Sequence, residues 1–238
     1  MHIHSVLSPC GDIEMSPCAI VARAKENGMD IIGITDHNST RNADVTRQVG
    51  ERIGLHVLMG AEVTTKEEVH CLCFMPTVEK LREFQAFLDS RVIFYPNDVD
   101  RFGYQLVVDE EENVIDQVPH LLINALDLPI LELQQKVYAM DGIFIPAHID
   151  RPSYSLSSQL GFVPTGLKCH AMELSWHCKA NGYKFLEDCP WFSDFNFIQS
   201  SDAHFVEDIA KIHSVLEMPF FSFENFKAAL RQGEQVIL

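Results

Sequence analysis

The chain opens "MHIHSVLSPCGD", with two histidines one residue apart, His2 and His4. In extended backbone alternate side chains share a face, so both imidazoles can reach one ion. Asp202 and His204, in "SSDAH", repeat that spacing. Single polar residues end apolar runs elsewhere: His37 after "DIIGITD", Glu62 after "VLMGA" and His148 after "IFIPA". Neutral imidazole with carboxylate suits zinc, manganese or iron, and a carboxylate can bridge two ions. A lone histidine is usually a satisfied structural residue, but two paired motifs and several strand-end singles are not explained that way. Asp36, beside His37, is read as a hydrogen-bonding support for a ligand. His56, His120, His170 and His213 lack a strand-end context and are read as structural or surface residues. His177, after "MELSW", stands between a rim position and a loop.

These residues need elements that bring them together. Pro17 to Asn27 reads as a helix, with Ser16 as its N-cap and Gly28 as its stop. "DIIGITDH" reads as a buried strand, "ADVTRQVGERIG" as a helix and "LHVLMGAEVT" as a strand. "EVHCLCF" follows as a strand and "VEKLREFQAFLDSRV" as a helix. "LPILELQQKVYAMDG" is helical, and "IFIPAHID", "CHAMELSWH" and "NFIQSSDAH" are strands. The tail adds "HSVLEM", the helix "FENFKAALRQG" and a last strand, "EQVIL". Repeated βα units predict parallel strands with right-handed crossovers, and about seven strands predict a barrel. In such barrels the C-terminal strand ends form one rim, where His2, His4, His37, Glu62, His148, Asp202 and His204 would meet. The whole chain, 1–238, reads as one domain, with an insertion of hairpin and helix at about 96–128.

Bulk properties set the remaining bounds. The formal net charge is -16, from 34 acidic and 18 basic residues, a balance that disfavours a long nucleic-acid partner. It excludes neither an anionic small-molecule substrate, since a metal cluster can reverse the sign inside a pocket, nor a short nucleic acid. No run approaches the roughly 20 apolar residues of a membrane helix, and residues 1–15 show no signal-peptide pattern, so a cytoplasmic location is expected. The cysteines form no CxxC pair and are read mostly as reduced core thiols.

In order along the chain, "HIHSVLSP", "GITDHNS", "GAEVTT", "EVHCLCF", "IPAHIDRP" and "SSDAH" resemble the motifs of the PHP (polymerase and histidinol phosphatase) family. The likeness is strongest to stand-alone metal-dependent phosphoesterases. It implies a distorted (β/α)7 barrel carrying two to three divalent ions, zinc, manganese or iron. By the resemblance, His2, His4, Glu62 and Asp202 hold one ion. Glu62 bridges to a second, held also by His70 and His148, while His37 and His204 hold a third. The third ion normally takes a further Asp or His shortly after the His-x-His pair; here the stretch is "SPCGD". Cys10 through its thiolate, or Asp12 reaching in past Gly11, would complete it; otherwise that site is weak. The family also places Asp before the first histidine, where Met1 stands, so metal is expected to anchor this end.

The implied chemistry is hydrolysis of a small phosphomonoester or nucleotide by a hydroxide shared between two ions. Arg151, three residues after His148, is the expected phosphate clamp, because guanidinium matches phosphate in a bidentate way. Ser5, Ser39 and Ser201 are read as hydrogen-bonding supports, since no nucleophile elbow is present. The alternatives are a metal-dependent amide or ester hydrolase and a non-enzymatic metal-stabilised module. No lysine stands at a rim strand end, as a carbamylated-lysine amidohydrolase would need.

Overall fold

Ser16 starts the first helix as its sequence position predicts, its hydroxyl accepting from the Ala19 amide. From there the computed structural model, which describes residues 1–179, 182–231 and 236–237, alternates helices and strands. The first half holds α1 (Pro17–Glu26), β1 (Ile31–Ile34), α2 (Ala43–Arg52), β2 (His56–Thr64), β3 (His70–Met75) and α3 (Val78–Asp89). The predicted insertion contains a one-turn helix, α4 (Val99–Phe102), and the hairpin β4 (Leu106–Val108) and β5 (Val114–Gln117). Then come α5 (Ile130–Ala139), β6 (Ile143–Pro146), α6 (Leu156–Leu160), β7 (Met172–Leu174), α7 (Gly182–Asp188) and β8 (Phe197–Gln199). The short strands β9 (Ser214–Val215) and β10 (Val236–Ile237) pair around α8 (Phe223–Arg231). The remainder of the predicted last strand "EQVIL" lies outside the described residues.

The architecture is mixed α/β, but it departs from a regular parallel barrel. The central sheet has the order β1-β2-β3-β6. β1 and β2 run parallel, whereas β2 with β3 and β3 with β6 run antiparallel. Connection length gives the reason. Only Thr65 to Val69 join β2 to β3, closed by the Val69 carbonyl accepting from Thr65 N–H at 2.9 Å. A parallel crossover needs a dozen or more residues.

No continuous ladder closes a barrel among the described residues. β7 and β8 form a separate parallel pair. Single bridges span one gap, from Ile3 to Ile34 on one side and to Ala203 on the other. The other gap is crossed by Ile149 N–H to the Glu173 carbonyl (2.8 Å) and His170 N–H to the Phe144 carbonyl (3.0 Å).

The sheet owes its tight packing to two glycines under one ring. A Cβ at Gly60 would lie 2.3 Å from the Cys73 carbonyl oxygen and 2.6 Å from the Phe74 ring. One at Gly33 would lie 2.8 Å from the same ring. Phe74, fully buried, thus fills a slot that glycine leaves open on β2 and, beyond it, on β1.

The insertion is stapled to this frame by buried amides. Asn42 accepts from Val108 N–H and donates to the Leu106 carbonyl. Asn38 donates to the carbonyls of Leu122 and Asn124 and accepts from Thr64 N–H. Residues 123–125 thereby become one wall of the cleft over the histidine cluster. No helix among the described residues is long and apolar enough to cross a membrane.

Candidate metal centre

The N-terminal segment is held by the sheet. Ile3 O accepts from Thr35 N–H at 2.9 Å, His4 N–H donates to Ala203 O at 3.0 Å, and Ala203 N–H donates to His2 O at 3.1 Å. Backbone bonds on both sides of Ile3 leave His2 and His4 pointing to the same buried side. The sequence suggested metal as the anchor of this end; these hydrogen bonds already secure it.

Glu62 stands at the centre. It sits near the end of β2, where the continuation of β1 bridges it through His37. His70 Nδ1, His148 Nε2 and His2 Nε2 approach its Oε1 at 2.9, 3.1 and 3.2 Å. His37 Nδ1 and His4 Nε2 approach its Oε2 at 3.2 and 3.4 Å. Asp202 Oδ1 lies 3.2 Å from His2 Nε2 and 3.4 Å from His4 Nε2. His204 stacks on His4, with ring centroids 4.3 Å apart, and donates through Nδ1 to the Asp202 carbonyl.

Three groups have ligand atoms mutually within 4.8 Å: His2, His4 and Asp202; His37, Glu62 and His70; and His4, Cys10, His37 and His204. Asp12 belongs to none of them. Its carboxylate instead accepts from Glu14 N–H at 2.9 Å, capping a turn.

The rings are aimed from behind. His2 Nδ1–H donates to Glu173 at 2.9 Å, which directs Nε2 into the cluster. Ser8 gives its hydroxyl proton to Asp36 (2.7 Å), so it accepts from His4 Nδ1–H (2.9 Å). Asp36 also accepts from the Ser5 amide and hydroxyl. Asp36 therefore supports the site as its sequence position suggested. Glu173 is the residue that sequence reasoning missed. Its signal was an acid between Met172 and Leu174 in a buried strand, a place where carboxylates almost never stand unpaired. Ser5 bonds Asp36, whereas Ser39 bonds Gln85 and Ser201 bonds the Ile212 carbonyl, partners outside the cluster. His170 is structural: its Nδ1 accepts from Phe144 N–H and Arg231 caps Nε2.

Burial, with His204 nearby, pulls the His4 imidazole down to about 4, and burial holds His37 well below its usual value. Both are neutral at pH 7, the form a metal ion requires. Against its own burial, Glu62 is held well below the usual carboxylate range by His70, His2 and His37. Burial likewise opposes ionisation of Asp202, but His2 and His4 hold it well below that range. For His2, burial is outweighed by Asp202, Glu173 and Glu62, which raise it well above its usual value.

Among the buried polar atoms without a hydrogen-bond partner are His37 Nδ1, Glu62 Oε2, His148 Nδ1 and Glu173 Oε1. An unmade buried bond costs about 1–3 kcal/mol, so an orphaned pair such as His37 Nδ1 and Glu62 Oε2 requires an explanation. Divalent cations fit it: His4 and His37 are neutral, Glu62 and Asp202 are ionised, and a cation would replace the proton that these carboxylates favour on His2.

The cluster floors an open cleft of about 330 Å³, with Arg151, Tyr154 and Glu68 at its mouth. Arg151 donates to Asp202 Oδ2 at 2.7 Å. Tyr154 stacks on His70 at 4.9 Å. Several non-glycine residues at positive φ gather here: Asn38 (49°), Glu68 (61°), His148 (28°), Tyr154 (56°) and Asp202 (49°). Such strain concentrates where the surroundings over-determine a functional geometry.

A family model for the PHP domain matches residues 1–137. The chain belongs to the PHP domain family. A relative, the uncharacterized protein YqxK of Bacillus subtilis (strain 168), is 25% identical over 238 residues, covering 89% of this chain and 54% of its own length. Among solved structures, the lesion-specific endonuclease Q of Pyrococcus furiosus superposes with a TM-score of 0.68 at 19% identity. That match covers all of this chain and 56% of that one. Endonuclease Q in complex with a 27-mer duplex, an abasic lesion at its active site, superposes with a TM-score of 0.65 at 19% identity, with 57% of its chain covered. A protein of Bifidobacterium adolescentis assigned as a metal-dependent phosphoesterase gives 0.56 at 20% identity, over 85% of this chain and 86% of that one. These likenesses establish a shared fold. The chain spans about half the length of YqxK and of endonuclease Q.

One expectation is corrected at this point. The acidic balance disfavoured nucleic acid and favoured a small molecule, yet a protein of this fold holds duplex DNA at its active site. Net charge is summed over the whole surface, whereas the field at a cleft is set by the groups that line it and by any bound cation.

Glu173 offers a local test of how the cluster is aimed. Glu173→Gln keeps an acceptor for His2 but removes the charge that fixes its tautomer. A 10- to 100-fold weaker hold on the ion beside His2 is expected, measured by chelator competition. Unchanged affinity would remove Glu173 from this role.

Proposed function

We propose that this chain is a metal-dependent phosphoesterase that hydrolyses a phosphodiester of nucleic acid. The observation that carries this reading is the Glu62 carboxylate, ringed by five imidazoles beside Asp202, on the floor of an open cleft. His2, His4, Glu62 and Asp202 would hold one divalent ion, Glu62, His70 and His148 a second, and His37 with His204 a third. Bound ions would supply Lewis acidity and a lowered water pKa, the two things phosphoryl hydrolysis needs most. The chain's own groups do the rest. Glu173 and the Ser8–Asp36 pair orient the rings. Arg151 uses one nitrogen on Asp202 and keeps the rest of its planar fork for phosphate oxygens at the mouth. The nucleic-acid substrate draws its support from the DNA-bound endonuclease Q of the same fold.

The test is to load the purified chain with zinc or manganese and offer end-labelled oligonucleotides, single-stranded, duplex and duplex with an abasic site. Strand cleavage that a chelator abolishes, and that His4→Ala lacks, is expected. A metal-loaded protein that cleaves none of them overturns the reading. Arg151→Ala is expected to raise KM about tenfold, roughly 1.4 kcal/mol, with metal content unchanged. Kinetics identical to wild type would leave Arg151 as a plain partner of Asp202.

A further inference from the structure

We infer that Cys10 supplies a thiolate to the ion held by His37 and His204, which makes that position selective for thiophilic cations. The inference rests on the cluster binding metal and not on the nature of the substrate. The sequence left two residues in contention, and the structure separates them. The ligand atoms of Cys10, His37, His204 and His4 all lie within 4.8 Å of one another. The Asp12 carboxylate is engaged with the Glu14 amide and joins no such group.

The backbone explains the choice. Ser8 N–H donates to Ser5 O (3.0 Å) and Gly11 N–H to Ser8 O (2.9 Å), so residues 5–11 turn twice in succession. A Cβ at position 11 would lie 2.6 Å from Ser5 O, so the second turn admits only glycine. Asp12 N–H then donates to His204 O at 2.9 Å. The loop is thus fastened beside His204, with Cys10 turned to the imidazoles and Asp12 already past them. Independently of this loop, His37 Nδ1 is buried with no hydrogen-bond partner. A buried, unpartnered imidazole nitrogen in the group that Cys10 joins is thus an observation separate from the cysteine.

The chemical consequence follows from ligand softness. Glu62 and Asp202 are hard oxygen donors that accept manganese or zinc alike. A site of imidazole and thiolate favours zinc, cobalt or ferrous iron and discriminates against magnesium, calcium and manganese. His4 Nε2 and His37 Nδ1 both also face Glu62; with His4 shared with Asp202 at the first ion, His37, His204 and Cys10 are the ligands assigned to the third. Three protein ligands of this kind leave a fourth position open.

The experiment reads the metal and needs no substrate. Zinc-loaded wild type is expected to show a sulfur shell at about 2.3 Å by X-ray absorption. Cobalt-loaded wild type is expected to show a thiolate-to-cobalt charge-transfer band. Both signals should vanish in Cys10→Ser, with one equivalent of zinc lost, and persist in Asp12→Asn. Cys10→Asp should accept manganese at that position with no sulfur shell. Should Cys10→Ser fail to fold, peptide-mapped alkylation of Cys10 in wild type replaces it, with protection expected on zinc loading. Equal alkylation with and without zinc overturns the inference. So does a fully loaded wild type without a sulfur shell, a shell that survives Cys10→Ser, or an ion lost in Asp12→Asn. A sulfur-ligated ion in a protein that cleaves no phosphodiester would sink the proposed function alone. Cleavage by a protein whose ions carry no sulfur would sink this inference alone.

Discussion

Glu62→Gln is expected to abolish activity and to strip the centre of most of its metal. Glu62 is the one carboxylate that touches all of His2, His4, His37, His70 and His148. Its charge offsets cations on both sides, and each oxygen faces a different set of rings. A glutamine keeps the volume but offers one oxygen; its NH2 points donors at nitrogens that a cation would need. We expect kcat/KM to fall by at least about 10³-fold, roughly 4 kcal/mol. Bound metal should drop from two to three equivalents to below one by elemental analysis. The substitution is isosteric, and the backbone on either side is held by the ladder to β3, so the fold should persist by circular dichroism. Full metal content and activity within tenfold of wild type would show that Glu62 is not a shared ligand.

Much of this candidate cluster is legible in the sequence, for a physical reason. Metal ligands are polar residues at the ends of apolar strands, and burying them is costly unless something binds them. His37, Glu62 and His148 stand out on that ground alone, and the His2/His4 spacing adds a shared face. What stayed hidden is equally specific. Glu173 sits inside a strand, not at its end, so its role emerges only when β7 lies beside His2. The choice between Cys10 and Asp12 depends on two tight turns that composition does not reveal. The antiparallel course of β3 was legible in the five residues after Thr64, but the regular βα rhythm obscured it. The partner class failed because a net charge of -16 describes the surface as a whole and not the cleft.

Chelation is expected to cost the protein a large part of its thermal stability. In this cluster His2 Nε2 and His4 Nε2 lie 3.2 Å apart, each directed inward by a partner behind it. A cation turns that crowding into coordination and displaces the proton that the surrounding carboxylates favour on His2; its removal leaves a crowded, buried polar cluster. At a thousandfold excess over Kd, one bound ion stabilises the native state by about 4 kcal/mol. For a chain of this length each kcal/mol moves Tm by roughly 2–4 °C, so chelation should lower Tm by about 8–16 °C per ion of that affinity. The loss should be local in origin. Amides that tie His4 to Ala203 and Thr35 to Ile3 join the site to the sheet through single bridges. They should exchange faster without metal, while those of the β2–β3 ladder keep their protection. A Tm that moves by less than about 1 °C on chelation, and does not recover when zinc is restored, would mean that the cluster stabilises itself through its own ion pairs and that metal is not part of this fold's stability.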